Sequence, residues 1–179
     1  MLEGCTPWPE EYARRYRAQG YWEGITLDEM LRRSAQRRPD AIAVVDGARS
    51  ATYAQLVERV DRLAANLFDL GLRSRDRAVF QLGNSIEFVY AFFALMRIGV
   101  IPVMALPAHR LAEVRRFALH AQAVAYLIPA SASGFDYRAL AQAVRAEAST
   151  LRWVIGAGES REDAVGLGGL LSAPASEAT

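Results

Sequence analysis

Apolar and polar positions change period several times along the chain, and each change marks an element. Leu56, Val60, Leu63, Leu67 and Leu70 recur every three or four residues, the spacing of one helix face. Thr52 with Gln55 forms a capping box at the start of that helix, and Gly71 stands where a left-handed stop is expected. A second capping box, Thr26 with Glu29, opens a helix that runs to the basic stretch before Pro39, and a shorter helix covers roughly Glu10 to Gln19. Ala41 to Val45, the Asp46-Gly47 turn and Ser50 to Thr52 read as a small hairpin.

From Arg77 onward short apolar strands alternate with longer helices. The strands are Arg77 to Leu82, Ile101 to Leu106, Val124 to Pro129 and Arg152 to Gly156; the helices are Asn84 to Ile98, His109 to Gln122 and Tyr137 to Ala148. Strands separated by helices need right-handed crossovers, so the expected fold class is α/β, a mostly parallel sheet with helices on both faces. Phe88 to Met96 is an unbroken apolar run, which leaves that helix no solvent face and calls for cover on every side. Arg97, Gly99 and Pro102 then favour helix, turn and strand over a membrane-spanning helix. After Gly156 the chain turns rich in Gly, Ala and Ser, which reads as a flexible linker or tail. The expected organisation is one α/β domain over 1–156 and a tail over 157–179.

Composition narrows the function classes. The chain has 179 residues, 52% of them hydrophobic, and a net charge of +1, which suits one domain with a core and gives no pull toward nucleic acid or a membrane. Cys5 is the only cysteine, and with His109 and His120 it builds no zinc pattern. The opening residues lack the apolar stretch of a secretory leader, so a cytoplasmic location is expected. All 21 basic residues are arginine, which suits a GC-rich genome. Whatever its cause, the lack of lysine excludes a Schiff base, a lysine nucleophile and a phosphate-loop lysine from these positions.

Few motifs point to chemistry. Gly156-Ala157-Gly158 follows a strand, but Arg161 stands where a dinucleotide loop needs its third glycine. Asp76, Glu87 and Glu113 sit at helix starts or strand entries, where a carboxylate complements the dipole or faces water. Trp8, Tyr12, Tyr16, Tyr21 and Trp22 lack the interleaved basic groove of a base-stacking surface and are expected to pack a helix onto the body. His109 and Arg110 are the candidate substrate or anion contacts. They follow a strand at the carboxyl end of the sheet and open a helix whose free N–H groups could meet an anion. The competing role pairs Arg110 with a carboxylate from elsewhere. Arg110 is expected to be the more consequential of the two, and no metal ligand is expected.

Several of these segments also carry a family likeness. TPWPEEYARRYRAQGYWEGITLDEML at 6–31, ATYAQL at 51–56, the segment from Gln81 to Arg110 and SGFDYRALAQ at 133–142 resemble the N-terminal part of aryl-acid–AMP ligases. Those are the 2,3-dihydroxybenzoate- and salicylate-activating enzymes of siderophore biosynthesis, within the adenylate-forming superfamily. ATYAQL and MRIGVIPVMALP are similar to the first two core motifs of that superfamily, whereas the PWP opening, the ALPAHR turn and SGFDY narrow the likeness to the aryl-acid branch. One departure is Gly83, where the family usually has proline.

The resemblance implies the N-terminal subdomain of the adenylate-forming fold and a two-step reaction. ATP and an aryl acid, with Mg²⁺, yield an acyl-adenylate and pyrophosphate, and the aryl group passes to the phosphopantetheine thiol of an aryl carrier protein. The family's phosphate loop, aryl pocket, ribose and Mg²⁺ ligands and catalytic lysine lie downstream of the segments matched here, so no catalytic residue carries over to this chain. The expectation is a ligase fragment, inactive alone, whose partners are the remainder of the ligase and the carrier protein and whose uncovered apolar surfaces favour self-association. A free-standing, non-catalytic interaction or scaffold module is the alternative.

Overall fold

The computed structural model describes residues 4–129, 134–158 and 160–174. Its elements are α1 (Glu10–Ala18), α2 (Leu27–Arg37), β1 (Ile42–Asp46), β2 (Arg49–Thr52), α3 (Tyr53–Asp69), β3 (Arg77–Phe80), α4 (Ile86–Arg97), β4 (Ile101–Met104), α5 (Leu111–Ala121), β5 (Ala125–Ile128), α6 (Tyr137–Glu147), β6 (Trp153–Gly156), β7 (Val165–Gly166) and α7 (Leu167–Ser172). Strands β3, β4 and β5 end one or two residues before their apolar runs do.

Local signals account for most element boundaries. At α3 the capping box is reciprocal: Gln55 N donates to Thr52 Oγ1 at 3.2 Å and Thr52 N to Gln55 Oε1 at 2.9 Å. At α2 only half of it forms, because Thr26 accepts from Glu29 N at 3.1 Å while the Glu29 side chain pairs with Arg33. The cap of α4 is Ser85, not the neighbouring Asn84, and it accepts from Phe88 N. Gly71 holds the left-handed stop after α3, with φ 108°. Gly99 is required twice over: its φ is 73°, and a Cβ there would lie 2.6 Å from Ser74 Oγ.

The five-stranded sheet is parallel, in the order β4-β3-β5-β6-β7. Side chains alternate across it. Ala78, Phe80, Ala125, Leu127 and Ile155 join the core under α3 and α4, and Val79, Tyr126, Ile128 and Val154 join the core under α5 and α6. Helices therefore cover both faces, as the strand–helix alternation predicts. Helix α4 departs from its expected full cover. Ile86, Tyr90, Ala91, Ala94 and Leu95 are buried, while Phe88, Val89, Phe92, Phe93 and Met96 on its other side are only half-buried.

The segment expected to be a tail begins differently. Residues 165–172 form β7, which extends the sheet beside β6, and α7, which packs on α3 with Leu167 fully buried and Leu171 7% exposed. Asn66 Nδ2 closes its end by donating to Leu170 O at 2.7 Å. The physical reason lies in Leu167, Leu170 and Leu171, a helical i, i+3, i+4 set inside a glycine-rich stretch whose composition masks it. Residues 159 and 175–179 of the expected tail lie outside the described residues. Truncating Leu167 to alanine is expected to cost about 2–3 kcal/mol in denaturant unfolding, the lower part of the range for a buried leucine. An unchanged midpoint would show that α7 adds nothing to the core.

The hairpin is tied to α4 electrostatically. Asp46 Oδ2 accepts from Ile86 N at 3.1 Å, and Arg49 pairs with both Asp46 and Glu87. The Ile86 N–H and then Arg49 hold the Asp46 carboxyl below its ordinary 3.8. Burial pushes Glu87 upward, but Arg49 and the helix N–H outweigh it and leave its carboxyl below 4.5. Both native values are depressed, so their stabilising contribution is complete above the unfolded values and is lost as pH falls through the native ones. The stability gap between the native chain and Arg49→Ala should therefore be full above about pH 5 and narrow progressively below it. Melting curves across that range test this; a gap independent of pH contradicts it.

Candidate functional site at the carboxyl edge of the sheet

The chain enters the sheet at β3, adds β4 on one side, then crosses back to place β5 on the other. The reversal makes a switch point between β3 and β5, and open α/β sheets bind ligands just outside the carboxyl ends at such a point. Here the turn of residues 105–110 lies over that position. Ala105 N donates to Phe80 O at 2.9 Å, and Gln81 N donates to Leu127 O at 3.0 Å.

Side chains lock the turn from below. Gln81 is fully buried, and its Nε2 donates to Leu106 O at 2.8 Å and His109 O at 3.0 Å. Its Oε1 accepts from the hydroxyl of Tyr126, also fully buried. Burial pushes the Tyr126 phenol well above its ordinary range, so the hydroxyl stays a donor. From α6, Tyr137 OH donates to Pro107 O at 2.8 Å. Both amide hydrogens and the carbonyl of Gln81 thus have partners, the condition under which a buried polar network rigidifies rather than weakens a core.

The structure brings both sequence-predicted site residues into this turn. His109 Nδ1 accepts from Leu106 N at 3.1 Å and the ring stands edge-on to Phe117. A neutral imidazole accepting at Nδ1 carries its proton on Nε2, which makes no hydrogen bond among the described residues. Arg110 Nη1 donates to Pro107 O at 2.7 Å and His109 O at 2.9 Å, and the guanidinium lies 3.9 Å from the centre of the Phe135 ring. Arg110 N donates to Glu113 Oε2 at 3.0 Å; that bond first, then the helix N–H of Glu113 itself, hold the Glu113 carboxyl below its usual range. The anion at the start of α5 is therefore the chain's own Glu113. Among the described residues Arg110 pairs with no carboxylate; its Nη1 goes to the turn's carbonyls, while Nε and Nη2 make no hydrogen bond.

Gln81, Tyr126 and Tyr137 escaped the sequence reading. For Gln81 and Tyr126 the signal was a lone polar side chain in an apolar run, at the end of AVFQ and inside AVAYLI. Elsewhere, Asp76 closes a turn by accepting from Arg73 N at 2.9 Å. The N-terminal aromatic rings pack on one another, Trp8 on Tyr16 and Trp22 and Tyr16 on Trp22, and leave Trp8 and Tyr21 exposed. Beyond β6 a cleft of about 320 Å³ is lined by Ile128, Gly156, Gly158, Arg138 and Arg161, with Arg138 paired to Asp163. Among the described residues no helix follows Gly156 directly, as a phosphate-binding turn would need. Among the described residues no cluster of His, Cys, Asp or Glu could hold a metal, and no helix is long and apolar enough to cross a membrane. The basic residues are all arginine, with no lysine among them.

This strand order, with helices on both faces and a structured turn at the switch point, defines a doubly wound α/β unit. The profile of AMP-binding enzymes matches residues 31–168, and the chain belongs to that family. It is 49% identical over 161 residues to the vibriobactin-specific 2,3-dihydroxybenzoate-AMP ligase of Vibrio cholerae, covering 90% of this chain and 30% of that protein. It is 46% identical over 159 residues to the salicyl-AMP ligase / salicyl-S-ArCP synthetase of Mycobacterium tuberculosis, covering 86% and 28%. The apo structure of Mycobacterium smegmatis MbtA superposes with a TM-score of 0.88 at 40% identity, over 98% of this chain and 33% of that one. The chain thus spans about 30% of the length of the curated relatives it matches.

Proposed function

We propose that this chain is the N-terminal scaffold of an ATP-dependent aryl-acid adenylating ligase that activates 2,3-dihydroxybenzoate or salicylate for siderophore assembly. The observation that carries the reading is the 46–49% identity to ligases for both acids, spread over 86–90% of the chain. ATP and Mg²⁺ serve the full enzyme through residues outside this chain. The acyl-adenylate would then deliver its aryl group to a carrier-protein thiol, in the cytoplasm. The chain's own contribution is the sheet, the locked 105–110 turn and the half-covered face of α4 against which the remainder of the ligase packs.

A chimera tests this. The chain replaces the matching segment of the Vibrio cholerae or the Mycobacterium tuberculosis ligase, and acid-dependent ATP–pyrophosphate exchange is measured. Both chimeras are expected to be active, each with the acid preference of the body it was joined to, because the aryl pocket lies outside this segment. A chimera that folds cooperatively yet exchanges no pyrophosphate would overturn the proposal.

A further inference from the structure

Gln81 is a polar side chain with no solvent exposure at all, placed under a turn whose other face is open. A buried amide has a desolvation cost that an apolar residue of the same size avoids, so its presence is informative. It grips the turn at two carbonyls three residues apart, Leu106 and His109, and Tyr126 fixes which way the amide faces. The same turn orients His109 through the Leu106 N–H, so the amide, the turn and the imidazole form one connected unit. Among the described residues His109 Nε2 makes no hydrogen bond and stands at the carboxyl edge beside Arg110, whose guanidinium uses only Nη1, on the turn's own carbonyls.

Resting on the ligase reading, we propose that Gln81 is a positioning residue of the reaction, which acts through the 105–110 turn to hold His109 with its Nε2–H toward an anionic oxygen of a reactant. The oxygen belongs to the aryl carboxylate or to a phosphate of ATP. Glu113 accepts from the Arg110 backbone N–H, and Arg110 Nη1 is held on the turn's carbonyls, so the imidazole is the group whose orientation Gln81 sets through the turn and whose Nε2–H has no partner among the described residues.

The test uses the active chimera carrying Gln81→Glu, which keeps the shape and the acceptor for Tyr126 but removes both amide donors, and Tyr126→Phe as a milder second variant. Activity is read at a temperature where melting curves show every variant folded. Gln81→Glu should lower kcat/KM about 10–100-fold, the scale of an ångström-sized misplacement near the chemistry, and Tyr126→Phe by less. In a His109→Ala background Gln81→Glu should cost less than about twofold, because the two act as one unit. A KM increase confined to the aryl acid assigns the oxygen to the carboxylate; one confined to ATP assigns it to a phosphate. In the 179-residue chain itself, ¹⁵N spectra of the imidazole should show the Nε2–H tautomer of His109 giving way to a mixture in Gln81→Glu. Unchanged kcat/KM with a lowered melting temperature, or losses that add fully with His109→Ala, would overturn the proposal. An unsubstituted chimera without activity is a different result and removes the ligase reading instead.

Discussion

Arg97→Ala is expected to destabilise the chain by about 3 kcal/mol, the lower end for removing one partner of a buried ion pair. The Arg97 side chain is 10% exposed at the end of α4, and Nε donates to Asp28 Oδ1 at 2.8 Å. Nη2 lies 2.7 Å from the same oxygen but off the hydrogen-bonding direction, and Nη1 pairs with Asp61. One guanidinium therefore joins α2, α3 and α4 on the side of the core away from the sheet. Truncation strands the Asp28 carboxylate, 16% exposed, with only the half-exposed Arg32 to neutralise it. Because the cost is mostly that stranded charge, Arg97→Met combined with Asp28→Leu should recover most of the loss. Urea unfolding at neutral pH reads both; a loss under about 1 kcal/mol for the single variant would mean that the pair is worth no more than a surface one.

The second large effect concerns association. Phe80 in β3 packs on Phe88 and Phe92, and its register partner Met104, on the same face of the edge strand β4, is 52% exposed. Together with the half-buried side of α4 and Leu106, 63% exposed, this makes a broad apolar surface of the kind that recruits other chains. Pro102 deprives the β4 edge of one N–H, so pairing is expected through faces rather than by strand addition. The chain alone should run as a dimer or larger species in size exclusion with light scattering. Met104→Lys with Leu106→Lys, both at exposed positions, should shift it toward monomer. A monodisperse monomer of the native chain at high micromolar concentration would contradict this and show that the surface needs no cover.

The helices and strands were legible in the sequence because their information is local. Leu56 to Leu70 carry a helix in their spacing, and Thr52 with Gln55 mark its start within four residues. The apolar runs around Val79, Val103, Leu127 and Ile155 likewise imply buried parallel strands, whose order only the structure supplies. Helix α7 was hidden because its three leucines are diluted by Gly166, Gly168 and Gly169, which argue for a loop on composition. The site was half legible. His109 and Arg110 could be placed from their position after a strand, but their partners could not. Gln81 and Tyr126 are 45 residues apart, and they meet only because β3 and β5 become neighbours after the chain reverses. Nor does a helix start reveal in advance that Glu113 occupies it, since the same pattern of an arginine and free N–H groups would serve an external anion equally well.

The most direct test of the account is aryl-acid-dependent pyrophosphate exchange by the 179-residue chain alone, purified free of host ligases and run beside an active chimera. Screening triphosphate charge and orienting an acyl transfer calls for cationic donors and a metal together, and the chain spans only about 30% of the length of the ligases it resembles. The account predicts exchange from the chimera and none from the chain. Exchange by the chain alone, with either 2,3-dihydroxybenzoate or salicylate, would contradict it and place the chemistry within these residues.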